Sequence, residues 1–234
     1  MSGKLVRVVG NSNILSDLLQ DRIKDRMIHS ITNNENAEIT IYFIFEENLE
    51  RKIIGPSIII RPWKKDIVHY NIENCIELHL KDTLIIDSEG IWGPSDIFEW
   101  ISALNSNSKI DLDKYPLRYW TPIKDIISLI ETLIELPEIP TLVSDVCGRR
   151  SWFANDVFLE LKMLWRRINN VKNNKIDWED LEVKSLPITN IKINSKPPNL
   201  SKLHNLIKPI NEKGWVPNTP LRICLMECLE EIIE

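Results

Sequence analysis

Residues 6–19 have the sequence Val-Arg-Val-Val-Gly-Asn-Ser-Asn-Ile-Leu-Ser-Asp-Leu-Leu. The first four complete a short, mostly apolar run, and Gly10 follows it as a turn residue. From Ile14 onward, apolar residues recur three and four positions apart, as they do along one face of an amphipathic helix. The stretch therefore predicts a buried strand, a tight turn at Gly10 and a helix.

A strand, a glycine turn and a helix in this order begin a dinucleotide-binding βαβ unit, in which a phosphate rests on the helix N-terminus. The spacing is that of a Gly-x-x-Gly-x-x-Gly turn, but Asn13 and Ser16 replace the second and third glycines. Asn13 tolerates positive φ better than most residues, although its side chain occupies space that a pyrophosphate needs. Two interpretations stay open: a weakened NAD or NADP site at Gly10, Asn13 and Ile14, or an ordinary β-turn-α unit without a ligand.

Composition and charge restrict the class of protein. The net charge of −5 gives no electrostatic reason to expect nucleic-acid binding. No segment approaches the roughly 18 apolar residues of a membrane helix, and the N-terminus leads directly into the first strand without room for a signal peptide. The four cysteines have neither zinc-ribbon spacing nor a disulfide framework. We therefore expect a cytoplasmic protein with no membrane and no nucleic-acid partner.

Hydrophobic patterning divides the chain into two halves. The first half alternates, with strands predicted at residues 5–9, 38–45, 57–60 and 83–87 and a helix at 14–27. The second half has predicted helices at 96–104, 122–136, 154–168, 200–210 and 219–233 and a strand at 141–146. Residues 49–81 have an irregular pattern. The prediction is an α/β fold with a Rossmann-like parallel sheet and a small C-terminal lobe. We expect residues 1–95 to form its nucleotide-binding part and residues 96–234 to form the remaining sheet elements and the substrate lobe, as one continuous domain.

Four segments, in order along the chain, resemble motifs of the extended short-chain dehydrogenase/reductase family, the NAD-dependent nucleotide-sugar epimerases and dehydratases. Residues 9–16, Val-Gly-Asn-Ser-Asn-Ile-Leu-Ser, resemble Thr-Gly-x-x-Gly-Phe-Ile-Gly, and residues 91–94, Ile-Trp-Gly-Pro, resemble Val-Tyr-Gly-Pro. Residues 118–126 are similar to Arg-Asp-Phe-x-x-Val-x-Asp-Val, and residues 214–217 to Gly-Trp-x-Pro. The shared order of the four segments is the argument, since each motif alone is weak.

The resemblance implies a Rossmann domain with a lobe that holds a nucleotide-sugar, and an activity that begins with hydride transfer between the sugar and NAD(P). It implies that Arg118 binds the diphosphate, for which a planar guanidinium is suited. An ion-paired or solvated surface arginine is the alternative. Trp92 is the second predicted substrate-binding residue, and in that role it would stack on a base. The alternative is that Trp92 only packs in the core.

The chain departs from the family at the catalytic base. The family uses the tyrosine of Tyr-x-x-x-Lys, in which the lysine charge makes the phenolate accessible near neutral pH. None of the four tyrosines here has a lysine four positions later; they are Tyr42, Tyr70, Tyr115 and Tyr119. The chain is also shorter than is typical of members of the family, and the missing residues fall between Gly10 and Gly93. Two alignment registers fit residues 85–93. In one they are the strand that ends in the family's catalytic serine, which would be Ser88; in the other, favoured by the distance to Arg118, they are the next strand, which carries Val-Tyr-Gly-Pro.

Three functions remain open. The first is a degenerate relative without the tyrosine base that binds a nucleotide or nucleotide-sugar. The second is an active sugar-modifying enzyme with a relocated base, such as Tyr70 or a histidine. The third is a non-catalytic structural or regulatory subunit that acts through a protein partner or a homodimer. No metal site is expected, since His29, His69, His79 and His204 show no metal-ligand spacing, although two of them lie in the irregular segment.

Overall fold

The computed structural model of the protein describes residues 3–10, 13–45, 53, 55–64, 69–70, 72–85, 91–172 and 198–233. Its strands are β1 (Leu5–Val9), β2 (Ser30–Ile31), β3 (Ile39–Phe43), β4 (Ser57–Pro62), β5 (Cys75–Leu80), β6 (Thr83–Leu84), β7 (Thr121–Pro122) and β8 (Leu142–Val146). Its α-helices are α1 (Ile14–Arg26), α2 (Asp96–Ser106), α3 (Ile123–Ile134), α4 (Ala154–Lys172), α5 (Ser201–Ile207) and α6 (Leu221–Ile233), and a 3₁₀ turn spans Leu112–Lys114.

Six strands form one sheet in the order β2-β1-β3-β4-β5-β8, and every neighbouring pair is parallel. The chain extends to one side of β1 through β2 and to the other side through β3, so the strand order reverses beside β1. Ligands in open parallel sheets bind outside the carboxyl ends of the strands at such a reversal. The predicted Rossmann-like parallel sheet is confirmed.

One face of this sheet carries the main apolar core. Alternate residues of the central strands point to it, including Ile58 and Ile60 of β4 and Ile76 and Leu78 of β5, and all four are fully buried. Helices α1 and α3 pack over them. Burial of each such side chain stabilises the fold by roughly 1.5–3 kcal/mol, which fixes the register because a one-residue slip would turn these side chains to the opposite face.

The other face of the sheet has a different composition. An apolar patch of Tyr42, Ile44, Ile59 and Cys75 lies there. Beyond it, toward the carboxyl ends of β4 and β5, the same face carries Arg61 and other polar side chains that the irregular sequence pattern concealed.

A second core lies outside the main sheet. Helices α2, α4 and α6 meet around the fully buried Trp100, and the short parallel pair β6–β7 lies between this core and the sheet. The predicted small C-terminal lobe is therefore present. The cysteines are buried and unbridged, and Cys224 and Cys228 pack in this second core. Among the described residues, no helix combines the length and the apolar character that crossing a membrane requires.

The structure differs from the predicted strands at two places. The fifth strand of the main sheet is Cys75–Leu80, in the irregular segment where no strand was predicted after residue 60. Of the strand predicted at 83–87, Thr83–Leu84 pairs with Thr121–Pro122 in the separate small sheet, and residues 86 and 87 lie outside the described residues. The cause is local, because charged residues at alternate positions of β5 interrupt the apolar run that a buried strand normally shows. Ser88 lies outside the described residues.

Candidate functional site

The turn after β1 requires glycine. Gly10 has a φ of +143°, and a Cβ placed on it would lie 2.8 Å from the carbonyl oxygen of Phe43. Both the left-handed conformation and the close approach exclude an ordinary side chain. Gly10 therefore brings the end of β1 against the end of β3, at the place where the strand order reverses.

Asn13 does not act as a substitute glycine. Its φ is −154°, which is extended, so the expectation that it maintains a positive-φ turn is wrong. It is the N-cap of α1. Its Oδ1 accepts a hydrogen bond from the Ser16 amide at 3.0 Å, and its own amide donates to Ser16 Oγ at 3.0 Å. This reciprocal pair is a capping box, which satisfies helix donors within the chain.

The capping box changes the chemistry of the helix N-terminus. A bound phosphate would use amide groups of this first turn, but the Ser16 amide already binds Asn13. The carboxylate of Asp17 lies in the same turn and accepts a hydrogen bond from Ser16 Oγ at 3.2 Å. A negative charge there competes with a pyrophosphate for the positive end of the helix dipole. Gly10, Asn13 and Ile14 as cofactor contacts stay a prediction, and this geometry weakens it.

Trp92 and Arg118, the two predicted substrate-binding residues, line one cleft. The cleft has a volume of about 250 Å³ and lies at the carboxyl ends of β4 and β5. Trp63 and Lys81 line it as well, with the Lys81 Nζ 4.6 Å from the centroid of the Trp63 ring. The structure thus brings together residues 26 positions apart at the edge of the sheet where ligands of this architecture bind.

Trp92 forms the floor of this cleft. It is 2% exposed and makes edge-to-face contacts with Phe43 at 5.9 Å and with Phe45 at 5.0 Å between ring centroids. Its neighbour Gly93 lies so close to β6 that an added Cβ would be 2.2 Å from the Thr83 carbonyl oxygen. The Ile-Trp-Gly-Pro segment is therefore held tightly, and the core-packing alternative accounts for most of the Trp92 surface.

Arg118 is held by two carboxylates. Its Nε and Nη2 donate to the two oxygens of Asp96, both at 2.9 Å, and Nη1 donates to Asp82 at 3.1 Å. Asp82 also accepts a hydrogen bond from the Tyr119 amide at 2.8 Å. Burial alone would lower the pKa of Arg118, but these carboxylates raise it, so the cation is permanent. A guanidinium has five N–H donors, which leaves two of them for a ligand.

A second polar cluster lies on the sheet face opposite the main apolar core. The sequence did not predict it. Arg61 Nη1 donates to Glu77 Oε1 at 2.8 Å, and His79 Nε2 lies 2.9 Å from the same oxygen. His79 Nδ1 is 3.6 Å from Asp145, and the ring of His69 stacks on that of His79 with centroids 5.1 Å apart. Arg61, Glu77 and His79 are each at most 4% exposed.

Burial and hydrogen bonding act in opposite directions on this cluster. Burial favours the neutral carboxyl of Glu77, but hydrogen bonds from His79, Arg61 and the Tyr70 amide lower its pKa to about 2. Burial likewise disfavours the charged imidazole, but Asp145 and Glu77 raise the pKa of His79. Polar and apolar residues alternate along this segment, which is a pattern typical of a strand and could have predicted β5. Glu77 and His79 point to one face, while Ile76 and Leu78 point to the other.

The four tyrosines occupy different settings. Tyr42 and Tyr119 are buried. Tyr115 donates its hydroxyl to Glu99 at 2.7 Å, and burial together with this carboxylate raises the pKa of Tyr115 to about 12. The ring of Tyr70 lies 4.7 Å from the guanidinium carbon of Arg61. Tyr115 therefore retains its proton at neutral pH in this setting.

Comparisons with known proteins identify the fold. No protein-family model matches the sequence, and no curated protein matches it. The fold is similar to that of RMD from Pseudomonas aeruginosa solved with NADPH, with a TM-score of 0.61, 10% identity and coverage of 98% of this chain and 97% of that chain. It is also similar to UDP-N-acetylglucosamine 4-epimerase from Bacillus cereus, with a TM-score of 0.58, 6% identity and coverage of 99% and 100%.

A third neighbour is dTDP-glucose 4,6-dehydratase from Bacillus anthracis in complex with NAD, with a TM-score of 0.55, 11% identity and coverage of 97% of this chain and 96% of that chain. Identities this low show a common fold and nothing finer. The resemblance to extended short-chain dehydrogenases/reductases is confirmed at that level.

Proposed function

We propose that this protein is a degenerate relative of the NAD(P)-dependent nucleotide-sugar epimerases and dehydratases. In this proposal it binds a nucleotide or nucleotide-sugar without the tyrosine–lysine chemistry of that family. The observation that carries the proposal is the cleft at the carboxyl edge of a Rossmann-like sheet, in which Trp92 and Arg118 lie together.

The cleft favours a ligand with both an aromatic and an anionic part. Trp63 is 40% exposed and offers a flat surface for stacking. Lys81 and the two remaining donors of Arg118 supply positive hydrogen-bonding groups, as recognition of a phosphate requires. Asp82 and Asp96 fix the guanidinium in advance, so little side-chain entropy is lost when a ligand binds.

Two features support the proposed loss of hydride-transfer chemistry. The sequence contains no Tyr-x-x-x-Lys. The capping box at Asn13 also occupies part of the helix terminus that would hold the cofactor pyrophosphate. We infer that NAD and NADP bind more weakly than a nucleotide-sugar, and that the cleft retains its ligand after the catalytic function has been lost.

Thermal unfolding with a panel of NAD, NADP and UDP-, dTDP- and GDP-sugars tests the proposal. A ligand at about 100 times its Kd adds about 2.7 kcal/mol to the free energy of unfolding, which raises Tm measurably. We expect at least one nucleotide-sugar to do so, with no oxidation or reduction of added NAD(P)(H). No shift with any member of the panel would refute ligand binding, and turnover would refute the loss of chemistry.

Arg118→Lys locates the ligand. Lysine keeps the charge beside Asp82 and Asp96 but removes the planar fork, so we expect affinity to fall about tenfold, which is about 1.4 kcal/mol. Arg222→Lys is the matched control, because Arg222 pairs with Glu160 at 3.3 Å in the helical lobe, and those residues do not line the cleft. Equal affinities of the two variants would place the ligand elsewhere.

A further inference from the structure

We propose that His69, Glu77 and His79 form a binding site for a divalent transition-metal ion of the Zn²⁺ class. Each residue offers one ligand atom, and these atoms all lie within 4.8 Å of one another. The site lies on the sheet face opposite the main core, and none of its three residues lines the proposed nucleotide cleft.

Two of the three ligands are already fixed. Glu77 and His79 are two residues apart on β5, so their side chains leave the same face of the strand. Glu77 Oε1 and His79 Nε2 are 2.9 Å apart. Tetrahedral Zn²⁺ with bonds of about 2.1 Å separates its ligands by about 3.4 Å. Insertion of the ion between these two atoms therefore needs a movement of about half an ångström.

Neighbouring groups contact Glu77 and His79 and hold them in place, as residues around metal ligands commonly do. Asp145 lies 3.6 Å from His79 Nδ1, which is the nitrogen that would not bind the ion. A carboxylate at that position fixes the ring orientation of a metal-binding histidine. Glu77 Oε2 accepts a hydrogen bond from the Tyr70 amide at 3.0 Å, which fixes the carboxylate. Arg61 Nη1 donates to Oε1, the proposed ligand oxygen, at 2.8 Å, so the ion would share that oxygen with the guanidinium.

Charge also favours a cation. Glu77 and Asp145 contribute two negative charges, and Arg61 contributes one positive charge. Against the opposing effect of burial, the two carboxylates raise the pKa of His79, so the ion must displace the proton that they favour there, and the metal-bound imidazoles are neutral. The net charge of these residues is therefore −1, and a divalent ion compensates it at short range. Binding would replace the contact between Glu77 and His79 with two stronger ion–ligand bonds.

His69 supplies the third ligand from the exposed side. Its ring is nearly parallel to that of His79, with 15° between the planes. Parallel rings cannot both direct in-plane lone pairs at one ion, so His69 must rotate when the ion binds. The residue is exposed, unlike Glu77 and His79, so it has room to rotate and lies where the ion would enter. Two nitrogens and one carboxylate oxygen form a ligand set typical of zinc, whereas Mg²⁺ and Ca²⁺ prefer oxygen ligands.

Equilibrium dialysis of the full chain, stripped with chelator and returned to Zn²⁺ in mildly alkaline buffer, tests the site. We expect about one ion per chain, and tetrahedral d–d bands in the visible spectrum when Co²⁺ replaces Zn²⁺. His69→Ala and Glu77→Gln should each weaken binding at least about tenfold and remove the tetrahedral bands. His29→Ala is the matched control and should bind within about twofold of wild type.

The possible outcomes are decisive even if one variant misfolds. Glu77→Gln keeps the shape of a buried side chain, and circular dichroism will show whether it folds. If it does not, His69→Ala decides, because His69 is exposed and its loss leaves the core intact. The proposal is wrong if wild type binds less than about one-tenth of an equivalent. It is also wrong if His69→Ala binds as wild type does, or if His29→Ala weakens binding as much as His69→Ala.

Discussion

Substitution of Gly10 by alanine should destabilise the fold more than any conservative change elsewhere in the same turn. Two effects add at this position. A φ of +143° imposes backbone strain on an alanine, which costs about 1–3 kcal/mol. The new Cβ also meets the Phe43 carbonyl oxygen at 2.8 Å, and forced overpacking of this kind typically costs a further 1–3 kcal/mol. We therefore expect Gly10→Ala to lower the free energy of unfolding by about 4 kcal/mol.

Gly55→Ala provides the matched control. Gly55 also has a positive φ, of +73°, but nothing lies within 4 Å of a Cβ built on it. This variant has backbone strain without the collision, so we expect a cost of about 1–2 kcal/mol. The difference between the two variants reports the close approach of β1 and β3, which is the feature that shapes the predicted cofactor turn.

Urea unfolding followed by tryptophan fluorescence measures both variants. With an m value of about 2 kcal/mol/M, a loss of 4 kcal/mol lowers the midpoint by about 2 M, and an unchanged m confirms that stability alone has changed. Trp92, one of eight tryptophans, contacts Phe43 and contributes to this signal. Equal midpoints for Gly10→Ala and Gly55→Ala would show that β1 and β3 do not approach as closely as the structure indicates. The turn would then not require glycine at position 10.

Two further predictions concern α1 and α2. Asn13→Ala removes the N-cap of α1 and should cost about 1 kcal/mol in urea unfolding, whereas Asn13→Ser keeps an acceptor and should cost much less; equal losses would argue against the capping box. Hydrogen bonds from Ser95 and Tyr115 lower the pKa of Glu99, so its stabilising contribution is fully present above the ordinary carboxyl pKa and is lost as pH falls through the lowered value. Glu99→Gln should therefore flatten the acid limb of the stability–pH curve, and an unchanged limb would contradict this assignment.

Local sequence predicted much of the main sheet and its first helix. The apolar run before Gly10 and the 3.6-residue period after Ile14 predicted β1 and α1 to within one residue. These signals are local, because an amphipathic pattern of this length specifies its own secondary structure before any long-range contact forms. The ordered motifs added the Rossmann-like sheet and the lobe, which the structure confirms.

Only the tertiary structure decided the two polar sites. Trp92 and Arg118 meet in one cleft because the loops that carry them both lie at the carboxyl ends of β4 and β5. Glu77 and His79 interrupt the apolar run of β5, so its sequence does not look like a buried strand. Their partners, Arg61 and Asp145, lie on the neighbouring strands β4 and β8. A residue's own sequence neighbours record its preference for helix or strand. The partner that makes a buried charge tolerable lies on another strand, and its identity depends on how the chain folds.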